Sequence, residues 1–117
     1  MVLQGQPQAR PKRVNYFLKV HCLDSYNHFD AQAENISMEG ICLRTSEHLP
    51  TGNDLSVILR LPNQLKPLVI PSRVVWSDAL TDTEPPSFRC GLRYIYLNRL
   101  YREGFLEFLR VLQDESP

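Results

Sequence analysis

Two short segments, far apart in the chain, have residue types and spacings suited to binding a polar ligand. One contains Asn35, Ser37 and Gly40, at a predicted corner between two strands. Residues two apart on a strand project to the same side, so the amide and the hydroxyl are expected to face outward together, with Ile36 pointing into the core. Gly40 leaves room for a ligand or another backbone to approach closely. The alternative is a purely structural turn, because Asn and Ser cap turns and Gly accommodates positive φ.

The other segment is basic and ends a predicted flexible arm, residues 1–13. It reads Arg10-Pro11-Lys12-Arg13 and follows a stretch rich in Gln, Gly and Pro. The formal net charge of the 117 residues is zero, but residues 1–23 carry four basic and no acidic side chains, and the rest carries nine basic and thirteen acidic ones. This distribution disfavours a long nucleic acid, which needs a large positive excess. It suits a small dianionic ligand held where the arm meets the body.

Apolar and polar side chains alternate in six segments, a period of two that predicts half-buried strands. In the first segment Val14, Leu18 and Cys22 fall on one face. Pro71 cannot donate to a sheet ladder and should mark an edge or a bulge. The polar residues 77–87 are expected to form a loop. The predicted strands cover residues 14–22, 29–36, 41–45, 55–61, 68–76 and 88–96.

The period changes to that of a helix after the last predicted strand. Asn98 is a suitable N-cap, and the helix should end near Gln113. Its apolar face carries Tyr101, Phe105, Phe108 and Leu112. The fold class that follows is all-β with one helix: a six-stranded antiparallel β-barrel with a C-terminal α-helix. Barrel and helix occupy residues 14–113, behind the arm.

Composition and motifs argue against several functional classes. A chain of 117 residues suits one domain. Its three cysteines are an odd number without a CxxC pair, which disfavours a disulfide framework or a zinc knuckle and indicates reduced thiols in the cytoplasm. The longest apolar run, residues 94–97, is far shorter than the roughly 18 residues of a membrane span, so no membrane insertion is expected. No nucleophile or metal-ligand motif surrounds the histidines, so neither an enzyme nor a cofactor or metal site is predicted.

Four stretches, in order along the chain, resemble one known family. They are Asn-x-Ser-x-x-Gly at residues 35–40, the strand of residues 40–45, Arg-Val-Val-Trp at 73–76, and Arg-Cys-Gly-Leu-Arg-Tyr at 89–94. Together with the closing helix they resemble the PilZ domain over residues 9–112. The resemblance implies a receptor for the bacterial second messenger cyclic di-GMP. In that family an Arg-x-x-x-Arg pair on the N-terminal arm grips guanine and phosphate, and the Asp/Asn-x-Ser-x-x-Gly motif meets the other guanine surface and the phosphates.

The family's ligand residues transfer to this sequence one position at a time. Asn35, Ser37 and Gly40 match the second motif, and Arg13 matches the second arginine. The first arginine is replaced by Ala9, but Arg10 lies one residue away and can reach the same place from a flexible arm. Trp76 is a further candidate, since an indole can stack on guanine; its alternative is a core or rim aromatic. Softer candidates for adding positive charge near a phosphate are Lys12, Arg44 and Arg73.

The predicted function is that of a single-domain receptor that changes its surface when cyclic di-GMP binds and signals to a separate effector protein. The missing arginine at Ala9 favours an alternative, a PilZ-like interaction module that has lost the ligand. A third reading, a small barrel that binds single-stranded nucleic acid, conflicts with the zero net charge and the lack of clustered aromatics.

Overall fold

The alternating segments form six strands, and the last amphipathic segment forms one helix. The computed structural model describes residues 14–25, 27–60, 66–81 and 83–115. The predicted arm, with Arg10, Lys12 and Arg13, lies outside the described residues. The elements are β1 (Val14–Leu23), β2 (His28–Ile36), β3 (Gly40–Thr45), β4 (Asp54–Leu59), β5 (Leu68–Leu80), β6 (Ser87–Tyr94) and α1 (Arg99–Glu115).

The strands close into an antiparallel barrel in the order β1-β2-β3-β6-β5-β4. This confirms the predicted architecture of a six-stranded barrel followed by one helix. The inward-facing set that fills the barrel includes Val20, Cys22, Ala33, Ile36, Ile41, Leu43, Val57, Leu59, Ile70, Val74, Cys90 and Leu92. Each large apolar side chain that is fully removed from water stabilises the fold by about 1.5–3 kcal/mol.

The helix packs its apolar face onto this core. Asn98 Oδ1 accepts a hydrogen bond from the backbone N of Leu100 at 2.8 Å, which confirms the predicted N-cap. The ring of Phe105 is fully buried and meets the ring of Tyr94 edge-on, with centroids 5.9 Å apart. α1 extends to Glu115, two residues past the predicted end. Within the described part of the chain, no helix is both long and apolar enough to cross a membrane.

The predicted loop over residues 77–87 is wrong at its start. β5 continues to Leu80, and its last residues pair with β6 through Ser77–Cys90 and Asp78–Arg89. Polar side chains are compatible with a strand here because they lie on the outer surface of a long hairpin. β6 also ends at Tyr94, two residues before the predicted end.

Pro71 lies where its missing N–H costs no ladder bond. The ladder between β5 and β6 begins one residue later, at Ser72–Tyr94. The Pro71 carbonyl accepts a hydrogen bond from the backbone N of Ile95 at 2.8 Å. On its other side Pro71 is the Cα partner of Ser56 in the middle of the β4–β5 ladder. It therefore marks the end of the β5–β6 ladder and neither an edge nor a bulge, since the barrel is closed and the irregularity in β5 lies between Val74 and Trp76.

Candidate functional site

The pairing register of the strands brings the start of the Asn-x-Ser-x-x-Gly motif and the end of the Arg-Val-Val-Trp stretch into one row on the outside of the barrel. Asn35 on β2 is opposite Cys42 on β3, Cys42 is opposite Gly91 on β6, and Gly91 is opposite Trp76 on β5. Adjacent strands lie about 4.8 Å apart, so Asn35 and Trp76 stand roughly 14 Å from each other across the row. Two small residues, Cys42 and Gly91, lie between the polar side chain of Asn35 and the aromatic side chain of Trp76. We call Asn35, Cys42, Gly91 and Trp76 the central row.

Two β-bulges turn the ends of the central row outward. Ala33 faces the core, and strict alternation would send Asn35 to the core as well, but the register shifts by one residue between them at Glu34. Val74 likewise faces the core, and the register shifts between Val74 and Trp76. A bulge adds one residue and so reverses which face the following side chain occupies. Asn35 is consequently half-buried on the outer surface, and Trp76 is 40% exposed.

Trp76 lies directly against the backbone of Gly91. A methyl group added at Gly91 would stand 2.1 Å from Nε1 and 2.5 Å from Cε2 of the indole. The absence of a side chain at position 91 is thus what lets the ring rest on β6. Beside it is a cleft of about 240 Å³ whose lining includes Glu39, Gly40, Trp76 and Arg93.

Gly40 is required by the neighbouring strand. A Cβ at this position would be 2.1 Å from the carbonyl oxygen of Leu92, a backbone atom that cannot swing away. Gly40 therefore allows another backbone to approach closely, one of the two roles that the sequence left open. Its Cα partner on β6 is Arg93, which places an arginine beside the motif glycine.

Ser37 shapes the turn between β2 and β3. Its backbone N donates to the Gly40 carbonyl at 2.9 Å, and its Oγ accepts hydrogen bonds from the backbone N of Glu39 at 3.1 Å and of Gly40 at 3.3 Å. The residue is only 1% exposed. The prediction that its hydroxyl faces outward beside Asn35 is wrong, because β2 ends at Ile36 and the side chain folds into the turn.

Arg93 is the site residue that sequence reasoning missed. It lines the cleft, is exposed, and forms no ion pair with any residue that the structure describes. Its alternation with Arg89 and Gly91 along β6 was visible in the sequence. Arg93 is recognised as a site residue only by its pairing with Gly40, and that pairing depends on the register between β3 and β6, which are distant in the sequence.

Carboxylates already hold the other strand arginines of this surface. Arg73 donates to Asp54 from Nε at 2.7 Å and from Nη2 at 3.1 Å, and this contact raises the pKa of Arg73 and lowers that of Asp54. Arg89 Nε donates to Glu34 at 2.7 Å, and Arg44 Nε lies 3.3 Å from the same carboxylate. The candidates Arg44 and Arg73 are therefore neutralised locally, and neither lines the cleft beside Trp76.

Chain connectivity brings the arm close to the motif turn. Val14, which follows Arg13 in the sequence, pairs with Ile36, and Ile36 directly precedes Ser37. Arg10 and Arg13 lie outside the described residues. Their distance from the central row is thus bounded only by the few residues of chain that separate them from Val14.

The described cysteines and acidic groups form no arrangement suited to other chemistry. All three cysteines are free and buried. Burial raises the pKa of Cys22 and of Cys90 to about 12, which keeps both thiols protonated and unreactive at neutral pH. Among the described residues, no group of His, Cys, Asp and Glu side chains could hold a metal ion.

Comparison with known protein families settles the family of this barrel. A model of the PilZ domain matches residues 7–110, nearly the whole chain. The chain belongs to the PilZ domain family. As a PilZ domain it carries the Asn-x-Ser-x-x-Gly motif in the turn after β2 and the aromatic residue of the Val-Val-Trp stretch on the adjoining surface. A comparison with curated proteins found no match.

Solved structures share the fold at low sequence identity. MotI, an inhibitor of motility from Bacillus subtilis, superposes with a TM-score of 0.71 at 18% identity, covering 99% of this chain and 55% of MotI. The PilZ domain of YcgR from Escherichia coli, solved with cyclic di-GMP, gives 0.64 at 13% identity, covering 91% and 92% of the two chains. The PilZ domain of CeSA from a cellulose-synthesizing bacterium gives 0.59 at 15% identity, covering 88% and 96%. This PilZ domain thus spans about half of MotI and nearly all of the other two.

Proposed function

We propose that this PilZ domain is a receptor for cyclic di-GMP that passes the signal to a separate effector protein. The observation that carries the proposal is the central row, which presents Asn35 and Trp76 on one outer surface. Beside it lies the guanidinium of Arg93, which forms no ion pair with a described residue. Membership of the family supports it, as does the YcgR PilZ domain whose structure contains the ligand.

Each end of the row offers a different contact to the ligand. The exposed face of Trp76 can stack on one guanine, an interaction worth about 1–3 kcal/mol per base. The Asn35 amide can hydrogen-bond a guanine edge. Arg93 on the barrel, with Arg10 and Arg13 from the arm, supplies planar guanidinium groups for the phosphates or for guanine O6 and N7. Ser37 and Gly40 contribute by shaping the turn, which holds Asn35 and the start of β3 in place.

Signalling follows if the ligand bridges the arm and the barrel. Residues 1–13 hold three of the basic side chains, and a bound dianion would draw them onto the outer surface near Ile36. The surface that an effector meets would then differ between the free and bound states. No step of this scheme requires catalysis by the domain.

Titration calorimetry with cyclic di-GMP tests the proposal. Heat of binding with saturation in the micromolar range or below is the expected result. A titration that shows neither heat nor competition at about 100 μM ligand contradicts it.

The replacement of the first family arginine by Ala9 supports one alternative, a PilZ-like interaction module that no longer binds the nucleotide. The variant Ala9→Arg distinguishes the two. If the wild type gives no heat but Ala9→Arg binds, the site is intact but incomplete and the alternative is correct. If both bind, with Ala9→Arg at most about tenfold tighter, Arg10 already supplies most of the missing contact.

A further inference from the structure

The bulge that turns Asn35 outward is held by an ion-pair network on the outer surface. Glu34 is the extra residue of the bulge, so the β2–β3 ladder gives it no Cα partner. Its carboxylate is only 14% exposed and contacts Arg89 on β6 at 2.7 Å and Arg44 on β3 at 3.3 Å. One carboxylate at the irregular position of β2 is thus tied to the next two strands.

The two arginines need this carboxylate. Arg44 and Arg89 are Cα partners on adjacent strands, and like charges directly opposite each other destabilise a sheet. Glu34 lies between them and neutralises the pair, and its contact raises the pKa of Arg89. The Glu34 carboxylate is only 14% exposed, so moving it away from its partners would leave a shielded charge unpaired, which is costly. The network therefore ties the irregular position of β2 to β3 and β6.

We propose that Glu34 is a positioning residue of the ligand site: its carboxylate, held between Arg44 and Arg89, fixes the bulge that keeps Asn35 on the outer surface. Without the bulge Asn35 would follow Ala33 toward the core, and the central row would lose its polar end. Glu34 itself does not contact the ligand in this scheme. The inference rests on the proposed function where ligand affinity is measured, but the register of Asn35 can be measured without ligand.

The decisive variant is Glu34→Gln, which removes the charge and keeps the size. Asp30→Asn is the matched control, since Asp30 lies on the same strand and also contacts two basic side chains, His21 at 2.9 Å and Lys19 at 3.3 Å, but at a regular position of the ladder. In isotope-edited NMR of the free proteins, the cross-strand contact between the backbones of Asn35 and Cys42 should weaken or disappear in Glu34→Gln. It should persist in Asp30→Asn. An unchanged contact in Glu34→Gln overturns the proposal.

Ligand affinity provides the second readout. Glu34→Gln should weaken cyclic di-GMP binding about tenfold, comparable to Asn35→Ala, while Asp30→Asn binds like the wild type. A wild-type Kd in Glu34→Gln, alongside a weakened Asn35→Ala, overturns the positioning role and leaves the proposed function standing. If the wild type does not bind, the proposed function fails, and the backbone contact alone decides the role of Glu34.

A milder variant keeps the proposal testable if Glu34→Gln does not fold. Glu34→Asp retains the charge but is one methylene shorter, so it cannot keep both contacts at 2.7 and 3.3 Å. It should show a partial loss of the Asn35–Cys42 contact and an intermediate affinity. Wild-type behaviour of Glu34→Asp in both measurements contradicts a requirement for the two-sided contact.

Discussion

At the scale of single residues, the site depends on side chains whose orientation is unusual for their place in a strand. Asn35 and Trp76 follow the inward-facing Ala33 and Val74 at an interval of two, yet both lie outside the barrel. The structure also separates the roles within the motif. Asn35 lies on the outer surface, whereas Ser37 and Gly40 are buried and hold the turn and the β3–β6 contact.

Arg93 should contribute to ligand binding directly. Arg93→Ala is expected to weaken cyclic di-GMP binding about ten- to a hundredfold, the effect of losing one charge-assisted contact of about 1.5–3 kcal/mol. Arg60→Ala is the control, since Arg60 is also exposed but follows β4, which does not adjoin β3 or β6. Calorimetry of both variants provides the measurement. Equal losses would mean that only overall charge matters.

The two buried glycines should respond differently to alanine. Gly91→Ala must displace the Trp76 indole, an exposed side chain, so it should impair ligand binding at a small cost in stability. Gly40→Ala meets the Leu92 carbonyl, a fixed backbone atom, so it should cost about 1–3 kcal/mol of stability. Urea denaturation measures the stabilities.

Trp76 is the single tryptophan of the chain, so its fluorescence reports the displacement directly. Gly91→Ala should shift its emission to longer wavelength. A Gly91→Ala protein with unchanged emission and unchanged affinity would show that contact of the ring with β6 does not matter.

At the scale of elements, periodicity predicted the strands and the helix because burial of one face dominates each of them. Ile36, Val57 and Phe105 are fully buried, as their positions in the pattern require. The bulges at Glu34 and Val75 were not predictable, because an insertion of one residue leaves no compositional signal and shows only as a register between strands. The strand over residues 77–80 was missed for a related reason, since its polar side chains resemble a loop until the pairing with β6 is known.

The helix should be a large contributor to stability through its buried face. Phe105→Ala is expected to lower the free energy of unfolding by about 3–5 kcal/mol, because the ring is 0% exposed and contacts Tyr94. Leu100→Ala, at a position that is 85% exposed on the same helix, should change it by less than about 0.5 kcal/mol. Similar values for the two variants, measured by urea denaturation, would contradict the packing of α1 on the core.

Acid should weaken the cross-strand ion pairs. Hydrogen bonds from Arg73 lower the pKa of Asp54, and those from His21 and then Lys19 lower the pKa of Asp30. A carboxyl whose folded-state pKa is depressed adds stability above its unfolded pKa of about 3.9, and this contribution is lost as pH falls through the folded value. The free energy of unfolding should therefore decrease below about pH 4.

Asp54→Asn and Asp30→Asn should each flatten the acid side of the stability profile slightly, since both carboxyls are exposed and screened. The check is urea denaturation of the wild type and the two variants over a pH series. Identical acid profiles for all three proteins would show that these pairs do not contribute.

At the scale of the whole molecule, closure of the barrel is what assembles the site. The turn after β2 and the Val-Val-Trp strand are separated by more than thirty residues in the chain, and they become neighbours only because β3 and β6 pair between them. The motif residues could be named from the sequence. Arg93 and Glu34 could not, since their roles arise from partners on other strands.

Charge is also organised at this scale. The chain is neutral overall, but the charged side chains of its first 23 residues are all basic. Three of the four described arginines on the strands, Arg44, Arg73 and Arg89, pair with carboxylates. Arg93 and the arm therefore hold much of the positive charge that remains for an anionic ligand. A small dianion near the start of β1 satisfies this distribution better than a long polyanion would.

An isotope-edited NMR titration of the full chain with cyclic di-GMP tests most directly whether the central row binds this ligand. We expect chemical-shift changes at Asn35, Gly40, Gly91 and Arg93, at the indole N–H of Trp76 and in the arm, with the outer face of α1 unaffected. Absence of any change up to about 100 μM ligand, or changes confined to surfaces away from the central row, would contradict it.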